Sequence, residues 1–67
     1  MSIVRSYDKD GKVISEYACE DNKKIKDDNG CDILEVDYYI LEASYEAYDG
    51  LDGVVVEDSD GSFWSPI

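Results

Sequence analysis

The chain has 67 residues, with 17 acidic side chains, 6 basic ones and no histidine, so its formal net charge is −11. This length fits one small domain, residues 1–67, and no run of about 18 apolar residues is present to span a membrane. The charge argues against nucleic-acid binding through a basic surface, and the first residues lack the apolar core of a secretory signal. Because a hydrophobic content of 43% is too high for an acidic disordered tail, we expect a folded protein. Because a secretory signal is not recognised, we expect this protein to be cytoplasmic.

The charge is unevenly distributed along the sequence. All six basic residues lie in residues 1–26, where they nearly balance five acids, whereas residues 27–67 contain twelve acids and no base. Such a surface either keeps a protein soluble or meets a positively charged partner, and its self-repulsion opposes folding. We expect the second role, because a domain of this size has little stability to lose.

Two segments of the form Asp-x-Asp-Gly, Asp8–Gly11 and Asp58–Gly61, indicate tight turns. The aspartate initiates a turn by bonding its own backbone, and the glycine supplies the positive φ that closes it. Each turn lies between β-prone segments, so the sequence predicts one hairpin over 2–19 and another over 53–65. The polar segment 20–30, which follows the first hairpin, is predicted to be a loop.

The longest apolar-rich segment predicts a helix over about residues 32–48. Asp32 and Glu35 form a capping-box pattern at its start, and Gly50 follows its end. Residues 33–40 also alternate between polar and apolar as a strand does, which leaves the alternative of a strand followed by a shorter helix.

The predicted helix is amphipathic, with a wide apolar face and a narrow acidic one. The acidic face consists of Glu35, Glu42 and Glu46, with Tyr39 beside them. The element order is then ββαββ, which predicts an α+β fold with an antiparallel sheet of two hairpins and the helix packed on one face. The candidate core residues are Ile3, Val4, Val13, Ile14, Ile33, Val36, Ile40, Leu41, Val54, Val56 and Phe63.

The two cysteines, Cys19 and Cys31, are expected to be reduced and buried as small apolar side chains. A disulfide between them is the alternative if the fold brings the two sulfurs together. Zinc needs four nitrogen or sulfur ligands, which this chain does not supply. Neither Asp-x-Asp-Gly segment has the remaining ligands of a calcium loop, so we predict no metal site and no cofactor.

Catalysis has no support in the sequence. There is no histidine and no glycine-rich phosphate loop, and carboxylates are too numerous for any pair of them to be informative. We therefore predict that the protein is not an enzyme and has no catalytic residue.

Protein binding is better supported, because six tyrosines, Phe63 and Trp64 are more aromatic side chains than one short helix can bury. Tyrosine and tryptophan are enriched at interface hot spots. The carboxylates of the helix and of the following turns would spread over about 20 Å. Because phosphates on one DNA strand are about 3.4 Å apart, carboxylates over this distance can occupy several phosphate-binding positions on a partner. The predicted partner-binding residues are Glu35, Tyr39, Glu42, Tyr45, Glu46, Asp49, Asp52, Glu57, Asp58, Asp60 and Trp64.

The acid-only segment 27–67, the acidic helix face and the aromatic excess resemble, as a class, small phage-encoded inhibitors of host defence. That class includes anti-CRISPR proteins, anti-restriction DNA mimics and uracil-DNA glycosylase inhibitors. The resemblance covers over half the chain but contains no family motif, so no residue role is carried over. It implies stoichiometric blocking of a nucleic-acid-binding protein in the host cytoplasm, with no catalysis.

The sequence thus predicts a small acidic inhibitor that covers the basic surface of a nucleic-acid-processing or host-defence protein. It would contact neither nucleic acid nor membrane itself. The main alternative is an interaction module or regulatory subunit that grips its partner through exposed tyrosine and tryptophan. A third alternative is a homodimer joined through edge strands, so the chain is expected to be a monomer or a weak homodimer.

Overall fold

The computed structural model describes residues 1–67 as an α+β fold with six strands and one α-helix. The strands are β1 (Ser2–Tyr7), β2 (Val13–Cys19), β3 (Lys24–Lys26), β4 (Asp32–Leu34), β5 (Val54–Glu57) and β6 (Phe63–Trp64). Helix α1 spans Glu35–Glu46, and a 3₁₀ turn over Gly50–Gly53 connects it to β5. No helix of the structure has the length and apolar character needed to cross a membrane.

Strand β1 lies at the centre of a four-stranded antiparallel sheet of order β2-β1-β5-β6. Val4 of β1 lies opposite Tyr17 of β2 on one side and Val56 of β5 on the other. Strands β3 and β4 form a separate antiparallel pair. The predicted α+β class, with two terminal hairpins in one sheet and a helix on one face, is confirmed.

Three turns of nearly identical sequence close the three hairpins: Asp8–Gly11, Asp27–Gly30 and Asp58–Gly61. In each turn the glycine amide donates to the carbonyl of the first aspartate, at 2.9–3.0 Å. The amide of that aspartate donates in turn to the carbonyl four residues later, at 2.8–2.9 Å. The glycines have φ between 80° and 86°, a left-handed conformation that side-chain-bearing residues rarely adopt. One local turn geometry therefore builds every hairpin of the protein.

The predicted loop over 20–30 is wrong, because this segment contains β3 and the second of the three turns. The carboxylate of Asp27 accepts the amides of Asn29 and Cys31, both at 2.9 Å, and so fixes the turn. The strands that follow pair in register, and Lys26 Nζ lies 2.6 Å from the Asp32 carboxylate across them. Local turn chemistry thus makes a third hairpin out of a very polar segment.

The predicted helix boundaries are too wide, since α1 begins at Glu35 rather than after Asp32. Asp32–Leu34 is extended because it pairs with β3, and Leu34, at the N-cap position, makes no side-chain capping bond. The amide of Glu35 instead donates to the carbonyl of Lys23 at 2.8 Å. At the other end, Ala47 is already extended. The alternative strand over 33–40 holds only as far as Leu34.

The core lies between α1 and one face of the large sheet, and it consists of Val4, Cys19, Ile40, Ala43, Val54 and Val56. Four candidate core residues prove exposed, namely Val13, Ile14, Leu41 and Phe63. A single helix covers only one sheet face, and Val13 and Phe63 belong to the other face, opposite Tyr7 and Glu57 respectively. The fold therefore has two layers, α1 and the large sheet, and only six buried apolar side chains between them stabilise it.

Both cysteines are free, but their surroundings differ. Cys19 is buried in the core as expected, and burial raises the pKa of its thiol to about 11. Cys31 is exposed beside the second turn, so its predicted burial is wrong, and the alternative disulfide is not formed.

These surroundings predict that one thiol of the native protein reacts with a thiol reagent and the other does not. Cys31 should be modified rapidly at neutral pH, because it is accessible, whereas Cys19 should react only after unfolding. Reaction with a chromogenic disulfide, followed with and without denaturant, measures both. Two fast thiols in the native state would contradict the position of Cys19.

Two neighbouring substitutions test the inner and outer sides of α1. Ile40→Asp places an unpaired charge in the core and should lower the free energy of unfolding by more than about 3 kcal/mol, enough to unfold a domain of this size. Leu41→Asp, one residue along on the exposed side, should change it by less than about 1 kcal/mol. Thermal unfolding followed by circular dichroism compares them, and similar melting curves would refute this orientation of α1.

Candidate functional site

The predicted partner-binding residues lie in three parts of the structure rather than in one. Helix α1 carries Glu35, Tyr39, Glu42, Tyr45 and Glu46. The connection that follows α1 carries Asp49 and Asp52. The last hairpin carries Glu57, Asp58, Asp60 and Trp64. Their contacts decide which of them are free to meet a partner.

The glutamates of α1 lie along β2, and the first of them is engaged inside the protein. The carboxylate of Glu35 accepts the amide of Glu20 at 2.7 Å and lies 3.5 Å from Lys23 Nζ. Its side chain is only 13% exposed. Glu35 therefore joins the start of α1 to the end of β2 and is not available to a partner.

The other end of this helix side is tied to β2 by tyrosine. The hydroxyl of Tyr17 donates to Glu46 at 2.6 Å, and the ring of Tyr39 stacks on that of Tyr17 with centroids 4.8 Å apart. Hydrogen bonding to Glu46 raises the pKa of Tyr17 to about 12, with smaller contributions from desolvation and from the charges of Glu46 and Glu42. Glu42, between these contacts, has no hydrogen-bonded or ionic partner.

Glutamates 35, 42 and 46 with Tyr39 form a stripe that we call the acidic helix edge. Sequence periodicity predicted their common side correctly, but that side faces β2 rather than open solvent. The fully outward side of α1 carries Leu41 and Tyr45 instead, and the Tyr45 side chain is 81% exposed.

The acids of the last hairpin mostly maintain its structure. Glu57 pairs with Arg5 at 3.3 Å, and Asp58 accepts the indole N–H of Trp64 at 3.1 Å. The carboxylate of Asp60 accepts the amide and the hydroxyl of Ser62, and these hydrogen bonds hold the pKa of Asp60 below its usual value. These residues stabilise the turn and the end of the sheet.

The connection after α1 holds two exposed carboxyl groups in contact. A hydrogen bond between Asp49 and Asp52 raises the pKa of Asp52, and desolvation and the charge of Asp49 add to the shift. Neither residue has a cationic partner, so this connection adds negative charge to the surface.

Sequence reasoning missed an acidic cleft of about 180 Å³ between α1 and the second turn. Its lining residues are Asp27, Asp28, Asn29, Ile33, Tyr38, Leu41, Glu42 and Tyr45. The hydroxyl of Tyr38 donates to Asp28 at 3.4 Å, and the negative charges of Asp28 and then Glu42 raise the pKa of Tyr38. The Asp-Asp-Asn-Gly sequence of the second turn was the signal that could have placed two aspartates beside the helix.

Most of the acids in residues 27–67 have no cation near them. Three of the twelve, Asp32, Glu35 and Glu57, form ion pairs. The other nine are Asp27, Asp28, Asp37, Glu42, Glu46, Asp49, Asp52, Asp58 and Asp60. No group of three or more potential ligand side chains is placed to share a metal ion. The unpaired carboxylates can accept hydrogen bonds from lysine and arginine.

The contact between Tyr17 and Glu46 predicts a pH dependence of stability at high pH. Because the folded protein raises the Tyr17 pKa from 10.0 to about 12, this hydrogen bond contributes fully below pH 10 and is lost as the pH rises through 12. Carbon-13 chemical shifts of the tyrosine ring, followed by pH titration, should show Tyr17 titrating late.

Glu46→Gln provides the control, because it should lower the Tyr17 pKa toward 10 and leave Tyr38, whose shift arises mainly from Asp28, nearly unchanged. A Tyr17 titration that is identical in the two proteins would contradict the assigned hydrogen bond.

Two exposed features therefore characterise the candidate binding surface: the carboxylates without cations and the apolar outward side of α1. The two features meet at the acidic cleft, which is lined by Asp28 and Glu42 from the first and by Leu41 and Tyr45 from the second. No protein-family model, curated protein or solved structure matches this chain.

Proposed function

We propose that this protein is an inhibitor that binds the basic surface of a nucleic-acid-binding protein and thereby blocks access of nucleic acid. The observation that carries the proposal is the set of nine acids in residues 27–67 without a cationic partner. Their mutual repulsion opposes folding of a domain with only six buried apolar residues. A partner rich in lysine and arginine would relieve that repulsion on binding.

The acidic cleft is suited to a basic side chain. Asp28 and Glu42 supply carboxylates, and Tyr38 and Tyr45 supply aromatic rings beside them. An arginine guanidinium forms charge-assisted hydrogen bonds with carboxylates and also stacks on aromatic faces. We therefore place the centre of the proposed interface at this cleft.

Nucleic-acid-binding proteins present lysine and arginine at spacings that match phosphates. Carboxylates on α1, on the second turn and on the connection after α1 offer negative charges from several directions. The contact set proposed from the sequence is revised accordingly. Glu35, Glu57, Asp58 and Asp60 are assigned to internal contacts, whereas Asp28 and Asp37 join the candidate contacts.

A second candidate function rests on the outward side of α1. The side chains of Leu41 and Tyr45 are 50% and 81% exposed, and that of Tyr48, just beyond the end of α1, is 56% exposed. Exposed tyrosines beside an apolar residue are typical of interface hot spots. A regulatory subunit that grips its partner through these side chains would use the same helix but would depend little on charge.

Displacement by DNA separates the two functions. The immobilised protein is used to capture proteins from a cell lysate, and the bound fraction is eluted with duplex DNA or with salt. The inhibitor proposal expects captured nucleic-acid-binding proteins that elute with both, because screening weakens contacts between charges. Partners that are not eluted by DNA or salt but are eluted by mild denaturant would support binding through the exposed aromatic side chains. They would contradict the inhibitor proposal.

A matched pair of double variants tests which acids bind. Asp37→Asn with Glu42→Gln, on α1, removes two exposed carboxylates, each of which contributes about 0.5 kcal/mol in an ion pair. The double variant should therefore weaken binding of a captured partner about fivefold at low salt. Asp10→Asn with Glu20→Gln removes the same charge from the part of the chain that contains all the lysines and should have a smaller effect. Titration calorimetry at two salt concentrations measures both, and equal losses would mean that only total charge matters.

A further inference from the structure

Strand β2 is an open edge of the large sheet. It has seven residues and pairs only with β1, on one side. None of the backbone hydrogen bonds outside the regular elements involves residues 13–19, so the other side of β2 has no backbone partner. The opposite edge, β6, has only two residues and is followed by Pro66, which donates no hydrogen bond.

The directions of the backbone groups of β2 follow from the hydrogen bond that the Asp8 amide donates to the Lys12 carbonyl. Bonded and non-bonded residues alternate along an antiparallel pair, and the register shift beside Ser6 moves the alternation by one residue. From Ser15 onward, the N–H and C=O groups of Glu16 and Ala18 therefore point away from β1. Their side chains lie on the sheet face that α1 does not cover.

The acidic helix edge follows this open strand on the other face. Glu35 accepts the amide of Glu20, which is the next outward-pointing amide beyond Ala18. Glu46 reaches β2 at Tyr17, and Glu42 lies between the two with no partner of its own. A strand added at β2 would therefore carry alternate side chains past a row of carboxylates.

We propose that β2 accepts an extended basic segment of the partner as an additional antiparallel strand. The segment would place lysine or arginine beside Glu42 and Glu46, and small or apolar residues beside Ala18. This inference rests on the proposed function, because it takes the partner to be basic, and it adds how the partner docks. Main-chain hydrogen bonds then provide affinity, and alternate side chains provide specificity.

A second copy of the chain fits this edge less well. An antiparallel pair of β2 strands related by a two-fold axis would place both acidic helix edges on the same side of the joined sheet. Like charges that face each other across strands are destabilising, and Glu16 of each copy would also lie near its counterpart. Charge complementarity therefore selects a basic partner segment.

Backbone methylation of a probe peptide tests the docking directly. The probe is a blocked peptide of sequence Lys-Val-Lys-Val-Lys-Val, whose valine amides would bond β2 while its lysine amides point away. Methylation of the backbone nitrogens of the valines removes the N–H groups that would bond β2 and should abolish binding. Binding is measured by fluorescence anisotropy of a labelled peptide. Methylation of the backbone nitrogens of the lysines gives a peptide with the same composition and charge as the valine-methylated one. It should leave binding nearly unchanged.

Amide hydrogen exchange of the protein locates the bound peptide. When about nine-tenths of the protein is bound, exchange at Glu16 and Ala18 should slow about tenfold, because only the free fraction exchanges. The amide of Tyr17, already bonded to β1, serves as the internal reference. Ala18→Pro removes an outward donor and should weaken binding, whereas Ala18→Val retains that donor and should not.

The outcomes separate this inference from the proposed function. Salt-sensitive binding of both methylated peptides, with no change in exchange at Glu16 and Ala18, would overturn strand addition and leave a basic partner in place. If none of the three peptides binds, including the unmethylated one, strand addition is overturned. The proposed function is tested separately by lysate capture with DNA elution. A concentration-dependent dimer in sedimentation, with the same two amides protected and no peptide bound, would show a second copy at this edge and also overturn the inference.

Discussion

The burial of Val4 between β2, β5 and α1 is the contact on which the rest of the structure depends. Strand β1 pairs on both sides, so the first and last hairpins share one sheet only through it. The buried face of β1 also carries Ser2 and Ser6, and both hydroxyls are bonded, to Asp21 and Ser15 respectively. Because the core has so few members, this strand determines where the helix and its charges lie.

Local chemistry was readable in the sequence, whereas pairing between segments was not. The turns at Asp8 and Asp58 and the middle of α1 were predictable, since a turn or an amphipathic face is specified by adjacent residues. The β3–β4 hairpin was missed because its strands are short and charged, although Asp27 makes the same bonds as Asp8. The true start of α1 follows from that pairing, which overrides the capping pattern at Asp32.

The candidate site was only partly predictable for a related reason. A helical wheel correctly placed Glu35, Glu42 and Glu46 on one side, but it contains no information about what lies beside that side. The neighbour is β2, which turns Glu35 into an internal contact and Glu46 into a partner of Tyr17. Among 17 acids of similar character, only three-dimensional neighbours distinguish a structural carboxylate from one that is free to bind.

The place of β1 also orders the events of folding. Each hairpin closes over a turn of the same local geometry, and such closures take microseconds. The pairing of Ile3 with Glu57 joins residues from opposite ends of the chain, and contacts this distant in sequence slow the formation of a fold. As the chain is synthesised, the first two hairpins therefore emerge with the inner edge of β1 still bare, and the core closes only when β5 arrives.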